Sequence, residues 1–218
     1  MTDPVGGLAG RTPTRHEREA GQPWDASYRD GHAPWDIGAP QPAVMRLAAA
    51  GVFTGTVLDA GCGSGDNALC IAAAGLQVFG FDVAPTAVSI ARAHAASEQL
   101  DIEFALADAL DLGRLDRSFD TVLDCALFHA LDADERRIYV AGLASVSKVG
   151  ARLYLLSFAD SDTEATGPHP VTQEELRAPF EGDPHWNVES VVTERLLARF
   201  APEGVPAWLL TAGRIAPR

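Results

Sequence analysis

The chain has 218 residues, 47% hydrophobic and 22% charged, which suits one folded globular domain and excludes a disordered or fibrous chain. A formal net charge of −13 repels phosphate backbones and anionic lipid surfaces, so no nucleic acid and no membrane is expected as a partner. No run of about 18 apolar residues or secretory core occurs, and the three cysteines and six histidines stand at no metal-ligand spacing, so a cytoplasmic protein with reduced thiols and no metal is expected.

Residues 1 to 20 are rich in Gly, Pro, Thr and charge without apolar periodicity, and read as a disordered leader to a single domain over 21–218. The next stretch, WDASYRDGHAPWDIGAPQP from Trp24 to Pro42, is polar and turn-rich but carries Trp24, Tyr28 and Trp35, too aromatic for a mere linker. An Ala-rich helix then runs through Met45 and Leu47, followed by a strand at Val57–Leu58, a helix over Asn67–Ala74 and a strand at Val78–Phe81. Further on come a helix over Thr86–Ala96, strands at Ile102–Leu106 and Phe119–Leu123, a helix over Ala133–Val146 and a strand at Arg152–Phe158. Short apolar runs separated by helices of this length imply crossover connections and a parallel sheet covered on both faces. The tail differs: VTQEELRAPFE reads as a short helix capped by Thr172, and Val188–Phe200 and Ala207–Ile215 as two longer strands joined by a turn at APEGVP. The expected fold is therefore α/β, Rossmann-like and doubly wound, with a mostly parallel seven-stranded sheet and an antiparallel C-terminal strand.

The stretch TVLDAGCGSGDNAL runs an apolar strand into alternating glycines and a helix. In an open parallel sheet, ligands sit beyond the carboxyl ends of the strands, where glycine permits close backbone approach and the next helix offers N–H groups. Gly61, Gly63 and Gly65 stand at that place, but the third position of a GxGxxG fingerprint is Asp66, which disfavours a nicotinamide or flavin dinucleotide. Asp82 ends the second strand, where a carboxylate can accept both hydroxyls of a ribose. Asp108 follows the third strand in FALADAL, where one can accept an exocyclic adenine amine.

VLDAGCGSG, VFGFDVAP, LADALDL and FDTVLDCALFHAL, in that order, resemble the cofactor-binding signature of class I S-adenosylmethionine-dependent methyltransferases. The resemblance implies S-adenosylmethionine as cofactor, S-adenosylhomocysteine as product and methyl transfer as the reaction. It assigns the methionine moiety to Asp59, Ala60, Gly61, Cys62, Gly63 and Gly65, the ribose to Asp82 with Val83, and the adenine to Asp108 with Ala109. Asp124 and Cys125, just past the fourth strand, would lie near the methyl group.

The Trp24–Pro42 segment, with DCALFHAL after the fourth strand and GPHPVTQEEL after the fifth, is similar to the thiopurine and plant thiol or halide methyltransferases and their bacterial relatives. In that group the N-terminal segment closes over the cofactor, which gives residues 21–42 the part of a lid and Tyr28 and Trp35 that of cofactor contacts. An aromatic face stabilises a sulfonium cation by about 0.5–2 kcal/mol, and a lid excludes water. The absence of an Asn/Asp-Pro-Pro-aromatic tetrapeptide after the fourth strand argues against methylation of nucleic-acid amines. The acceptor is then a small molecule, a thiol, a phenol or quinol, or a nitrogen heterocycle. His129 and Asp124 are the candidate catalytic groups and His32, His129 and His169 the candidate substrate contacts, His129 having the side chain best suited to remove a proton near neutrality. A binding module without turnover and a macromolecule methyltransferase are the alternatives. Monomer or weak dimer is the expected state.

Overall fold

The computed structural model describes residues 8, 10–29, 31, 33–161, 164 and 166–216. Seven strands form one sheet: β1 (Thr56–Ala60), β2 (Gln77–Asp82), β3 (Glu103–Leu106), β4 (Phe119–Cys125), β5 (Ser147–Phe158), β6 (Trp186–Ala198) and β7 (Ala201–Arg214). Their spatial order is β3-β2-β1-β4-β5-β7-β6, with β7 antiparallel to both neighbours and every other pair parallel. The expected mixed α/β sheet is what forms. Chain direction across the sheet reverses between β1 and β4, and a crevice opens at their carboxyl ends.

Among the described residues, seven α-helices accompany the sheet: α1 (Arg15–Ala20), α2 (Asp25–Arg29), α3 (Pro42–Ala49), α4 (Asp66–Ala73), α5 (Pro85–Ser97), α6 (Ala133–Ser145) and α7 (Gln173–Glu181). Alternation along the strands splits the core. Leu58, Val122, Leu153 and Leu210 turn to one face and pack with Tyr139 and Leu143 of α6 and Phe180 of α7. Val57, Val78 and Leu123 turn to the other, against Val44 of α3, Ile71 of α4 and Val88 of α5. Each fully buried side chain of this size contributes about 1.5–3 kcal/mol of transfer free energy. On α5, Ala87, Ala91 and Ala95 recur every fourth residue and are all buried, so the helix lies close to the sheet. Capping boxes start α6, at Asp132 and Glu135, and α7, at Thr172 and Glu175, as the sequence leads one to expect for Thr172.

Two expectations need correction. The β6–β7 connection is the two-residue turn Arg199–Phe200, with Ala198 opposite Ala201, and APEGVP belongs to β7. Pro206 is tolerated there because β5 has ended: its last pairing is Phe158 with Ala207, and the Pro206 carbonyl accepts from Ala159 N–H. The leader reading fails for its second half. Residues 1–7 and 9 lie outside the described residues, but α1 is tied down, Arg18 pairing with Asp132 and Glu135 at 2.8 Å each and Arg15 N–H donating to Glu135. Buried Glu17 completes the knot by accepting from Thr14 N–H, the Thr14 hydroxyl and Arg11. Three charged partners, Asp132, Glu135 and Arg11, offset an ordering cost that the segment's own apolar content does not cover.

Candidate active site

The β1–α4 loop lies at the crevice. Gly61, Gly63 and Gly65 have φ of 68°, 54° and 88°, a left-handed backbone that side chains resist, and the neighbours leave no room for a Cβ. A Cβ on Gly61 would come within 2.6 Å of Leu127, and one on Gly65 within 2.9 Å of Ala91. Asp82 fixes the loop from β2: one carboxylate oxygen accepts from Gly63 N–H and the other from Ala84 N–H, both at 2.9 Å. A carboxylate has about four acceptor directions, so two N–H bonds leave Asp82 capacity toward the cavity it lines. Burial raises its pKa, against the pull of those N–H groups. Asp108 holds the next turn by accepting from Leu110 N–H at 2.9 Å, and Arg11 Nε stands 3.5 Å from its other oxygen.

A cavity of about 270 Å³ opens above the loop, lined by Gly61, Cys62, Gly63, Asp82, Val83, Asp108 and Ala109, with Cys125 at its floor. Of the expected loop and strand-end contacts, Asp59, Ala60, Gly65 and Asp124 do not line it; Gly65 turns instead against Ala91 and Phe104. Asp59 and Asp124 are 1% and 0% exposed and both carboxyls are pushed up to about 7, chiefly by burial. Asp124 accepts from Leu127 N–H at 3.0 Å and Phe128 N–H at 3.4 Å, so it shapes the turn after β4. It is buried beside Tyr139 and is not among the residues that line the cavity.

The aromatic residues of the Trp24–Pro42 segment come together edge-on at the cavity. Trp35 donates its indole N–H to the Tyr28 hydroxyl at 2.9 Å, Trp24 meets Trp35 edge-on at 5.1 Å, and Trp24 donates to the Thr14 hydroxyl at 3.2 Å. Tyr28, Trp24 and Trp35 all line the cavity, and α2 anchors them by accepting Thr86 N–H on Asp25 at 2.7 Å. From the other side the hairpin tip holds this segment: Arg199 donates from N–H to the Pro34 carbonyl at 2.9 Å and from Nε to the Asp36 carbonyl at 2.7 Å. Gln41 bonds both the N–H and the carbonyl of Leu197.

His129 and His169 line the cavity; His32 lies outside the described residues. His129 is buried against Phe158, with its pKa pushed down to about 3 by burial and by His169 and Arg136 nearby. Its Nδ1 accepts from Phe158 N–H at 3.4 Å, which leaves the proton of the neutral ring on Nε2. The Cys62 and Cys125 thiols are pushed up by burial and stay protonated. Arg11, Thr14 and His16 also line the cavity, brought there by the packing of α1, as do Phe158, Leu196 and Phe200.

A methyltransferase-domain family model matches residues 57–150, the span from β1 to the start of β5. The chain is 36% identical over 185 residues to the 2-heptyl-1-hydroxyquinolin-4(1H)-one methyltransferase of Mycobacteroides abscessus, covering 80% of this chain and 81% of the relative. The chain belongs to the S-adenosylmethionine-dependent methyltransferases. This methyltransferase also superposes, at TM-score 0.79 and 36% identity over 88% of its length and 91% of the other, on a solved structure concerned with conversion of a disulfide bond into a thioacetal group during echinomycin biosynthesis. It is 26% identical, at TM-score 0.61 over 79% and 76% of the two chains, to the Synechocystis PCC 6803 magnesium protoporphyrin IX methyltransferase with bound S-adenosylmethionine. S-adenosylmethionine is the cofactor of this enzyme. The site fits it: Asp82 has unused acceptor capacity, the glycine backbone borders the cavity and an aromatic wall faces it. Among the described residues of the methyltransferase, no helix is long and apolar enough to cross a membrane.

Proposed function

We propose that this methyltransferase methylates a hydroxyl on a small, flat and largely apolar heteroaromatic molecule. The cofactor supplies an electrophilic methyl carbon on a sulfonium leaving group. The backbone of Gly61, Cys62 and Gly63 borders the methionine end in this reading, with Gly65 turning the chain into α4, Asp82 and Val83 at the ribose and Asp108 and Ala109 at the adenine. Asp59, Ala60 and Asp124 hold that loop from beneath. Tyr28 and Trp35 close over the sulfonium, exclude water and add cation–π stabilisation.

The observation that carries the acceptor class is the wall beyond Cys125. Phe158, Leu196 and Phe200 are apolar, and His129 presents one fixed Nε2–H among them. Such a wall favours a flat apolar ring with one well-placed acceptor atom. The Mycobacteroides abscessus relative, named for a hydroxylated quinolinone, is consistent with that class. Catalysis rests mainly on holding the acceptor oxygen in line with the methyl carbon, about 3 Å away. A thiol acceptor is the second reading, favoured by the likeness to the structure concerned with a disulfide and a thioacetal group.

The acidic surface keeps nucleic acid away, and the protein acts in the cytoplasm as a monomer or weak dimer. Calorimetric titration with S-adenosylmethionine and S-adenosylhomocysteine, followed by a panel of hydroxyquinolines, phenols and thiols scored for S-adenosylhomocysteine formed, tests the reading. Transfer to hydroxyl-bearing rings is expected. Transfer to thiols alone would replace it with the second reading.

A further inference from the structure

The cavity holds a second imidazole system opposite in character to His129. His16, on α1, stacks on Trp24 with ring centroids 4.0 Å apart and planes 13° from parallel. Its Nδ1 lies 3.2 Å from His169 Nε2. His169 is held with φ of 52°, and its Nδ1 faces Glu19 at 3.6 Å. Glu19 is exposed, paired with Arg15 at 2.8 Å, and its pKa is lowered by that partner, so it is a carboxylate. A carboxylate beside an imidazole nitrogen keeps the proton on that nitrogen, which places the His169 proton on Nδ1 and its lone pair on Nε2. The proton between the two rings then belongs to His16 Nδ1. His16 Nε2 is left with a lone pair, and no hydrogen bond engages it among the described residues.

Resting on the reading that the acceptor carries a hydroxyl, we propose that His16 is the general base of this methyltransferase, positioned by His169 and Glu19. His129 supplies the complementary donor. The pair selects an acceptor that offers a hydroxyl proton to His16 Nε2 and a separate hydrogen-bond acceptor atom to His129 Nε2–H. As the hydroxyl oxygen bonds to the methyl carbon, its proton passes to His16 Nε2. The carbon–sulfur bond breaks with its electron pair on sulfur, leaving S-adenosylhomocysteine and an imidazolium that returns its proton to solvent.

The surroundings keep His16 ready for this. Burial and the neighbouring His169 lower its pKa, while Glu17 and Glu19 on its own helix raise it. Around His169, burial acts downward first, then Arg15 and Arg136, with Glu19 acting upward. The net direction is down, so the base is neutral at physiological pH, and the imidazolium formed in the reaction finds two carboxylates nearby.

Two experiments test the assignment. Long-range ¹H–¹⁵N NMR of the free protein should show His16 protonated on Nδ1 alone and His129 on Nε2 alone; a proton on His16 Nε2 overturns the proposal whatever the enzyme's activity. In turnover with substituted phenols of graded acidity, His16→Gln should cost about 100-fold for weakly acidic phenols and no more than about 5-fold for nitrophenols ionised at the assay pH. Glu19→Gln should move the acid limb of the kcat/KM profile. Equal losses by His16→Gln across the acidity series, with S-adenosylhomocysteine affinity retained, would sink His16 as base and leave the hydroxyl-acceptor reading standing. A wild type inactive on every phenol and hydroxyquinoline would sink that reading instead.

Discussion

The Tyr28 hydroxyl stands 2.8 Å from where a Cβ on Gly63 would be, so the aromatic segment proposed as the lid meets the loop with no space for even one methyl group between them. Gly63 also has φ of 54°, a conformation that costs an L-residue about 1–2 kcal/mol. Gly63→Ala is expected to fold, to push Tyr28 outward, and to weaken S-adenosylhomocysteine binding about 10-fold or more in calorimetry. Unchanged affinity would show that the lid does not seat on the loop when the cofactor binds.

Asp82 is the loop's charged anchor and, in the proposed arrangement, the ribose contact. Asp82→Ala removes charge-assisted bonds to Gly63 N–H and Ala84 N–H as well as those to a ribose. The expected loss in cofactor affinity is about 1.5–3 kcal/mol, read by calorimetry against the wild type. A change below a factor of two would remove the ribose assignment.

Asp124 gives a pH-dependent prediction. Its carboxyl titrates at about 7 in the folded chain against 3.8 as a free side chain. A raised pKa contributes stability that is complete below pH 3.8 and is lost as the pH rises through 7. Asp124→Asn keeps an oxygen for Leu127 and Phe128 N–H without that loss, so its stability relative to wild type should improve as pH rises from about 4 to 8, by up to a few kcal/mol. Urea midpoints across that range measure it, and a difference independent of pH would contradict the burial argument. His129 runs the other way: with its pKa lowered from 6.5 to about 3, its contribution is present above 6.5 and is lost as the pH falls toward 3.

Trp35 couples the lid's parts. Trp35→Phe keeps an aromatic face but drops the bond to Tyr28, at a cost of about 0.5–1.5 kcal/mol. The expected readout is faster release of S-adenosylhomocysteine, followed through Trp24 fluorescence, with little change in the association rate. Slower association with unaltered release would mean that Trp35 guards entry rather than retention.

Leu143 checks the core independently of the site. It is fully buried on α6, and Leu143→Ala should cost about 2–5 kcal/mol in chemical denaturation while cofactor affinity below the transition stays within a factor of two.

The sheet was legible because its strands are short apolar runs with crossover helices between them, and the loop because three glycines at alternate positions have few other uses. The orientation of Asp124 was not. It pairs beside Ala60 at the strand end, and only the turn at Ala126, with φ of 78°, decides that its carboxylate caps the Leu127 and Phe128 N–H groups instead of facing outward. His16 was invisible for a different reason. Its partner His169 is 153 residues away, and α1 has no apolar stripe to announce that it packs at all. The APEGVP error came from Pro and Gly, which mark turns in isolation yet sit without strain where a neighbouring strand has ended.

The grip of Arg199 and Gln41 on opposite partners joins residues 34–41 to residues 197–199. In chain order, the glycine loop and Asp82 are translated more than a hundred residues before that hairpin. The floor of the site is therefore translated well before the two strands whose turn holds its aromatic cover, and a chain cut short inside β6 would keep the glycine loop but lose the bonds from Leu197 and Arg199.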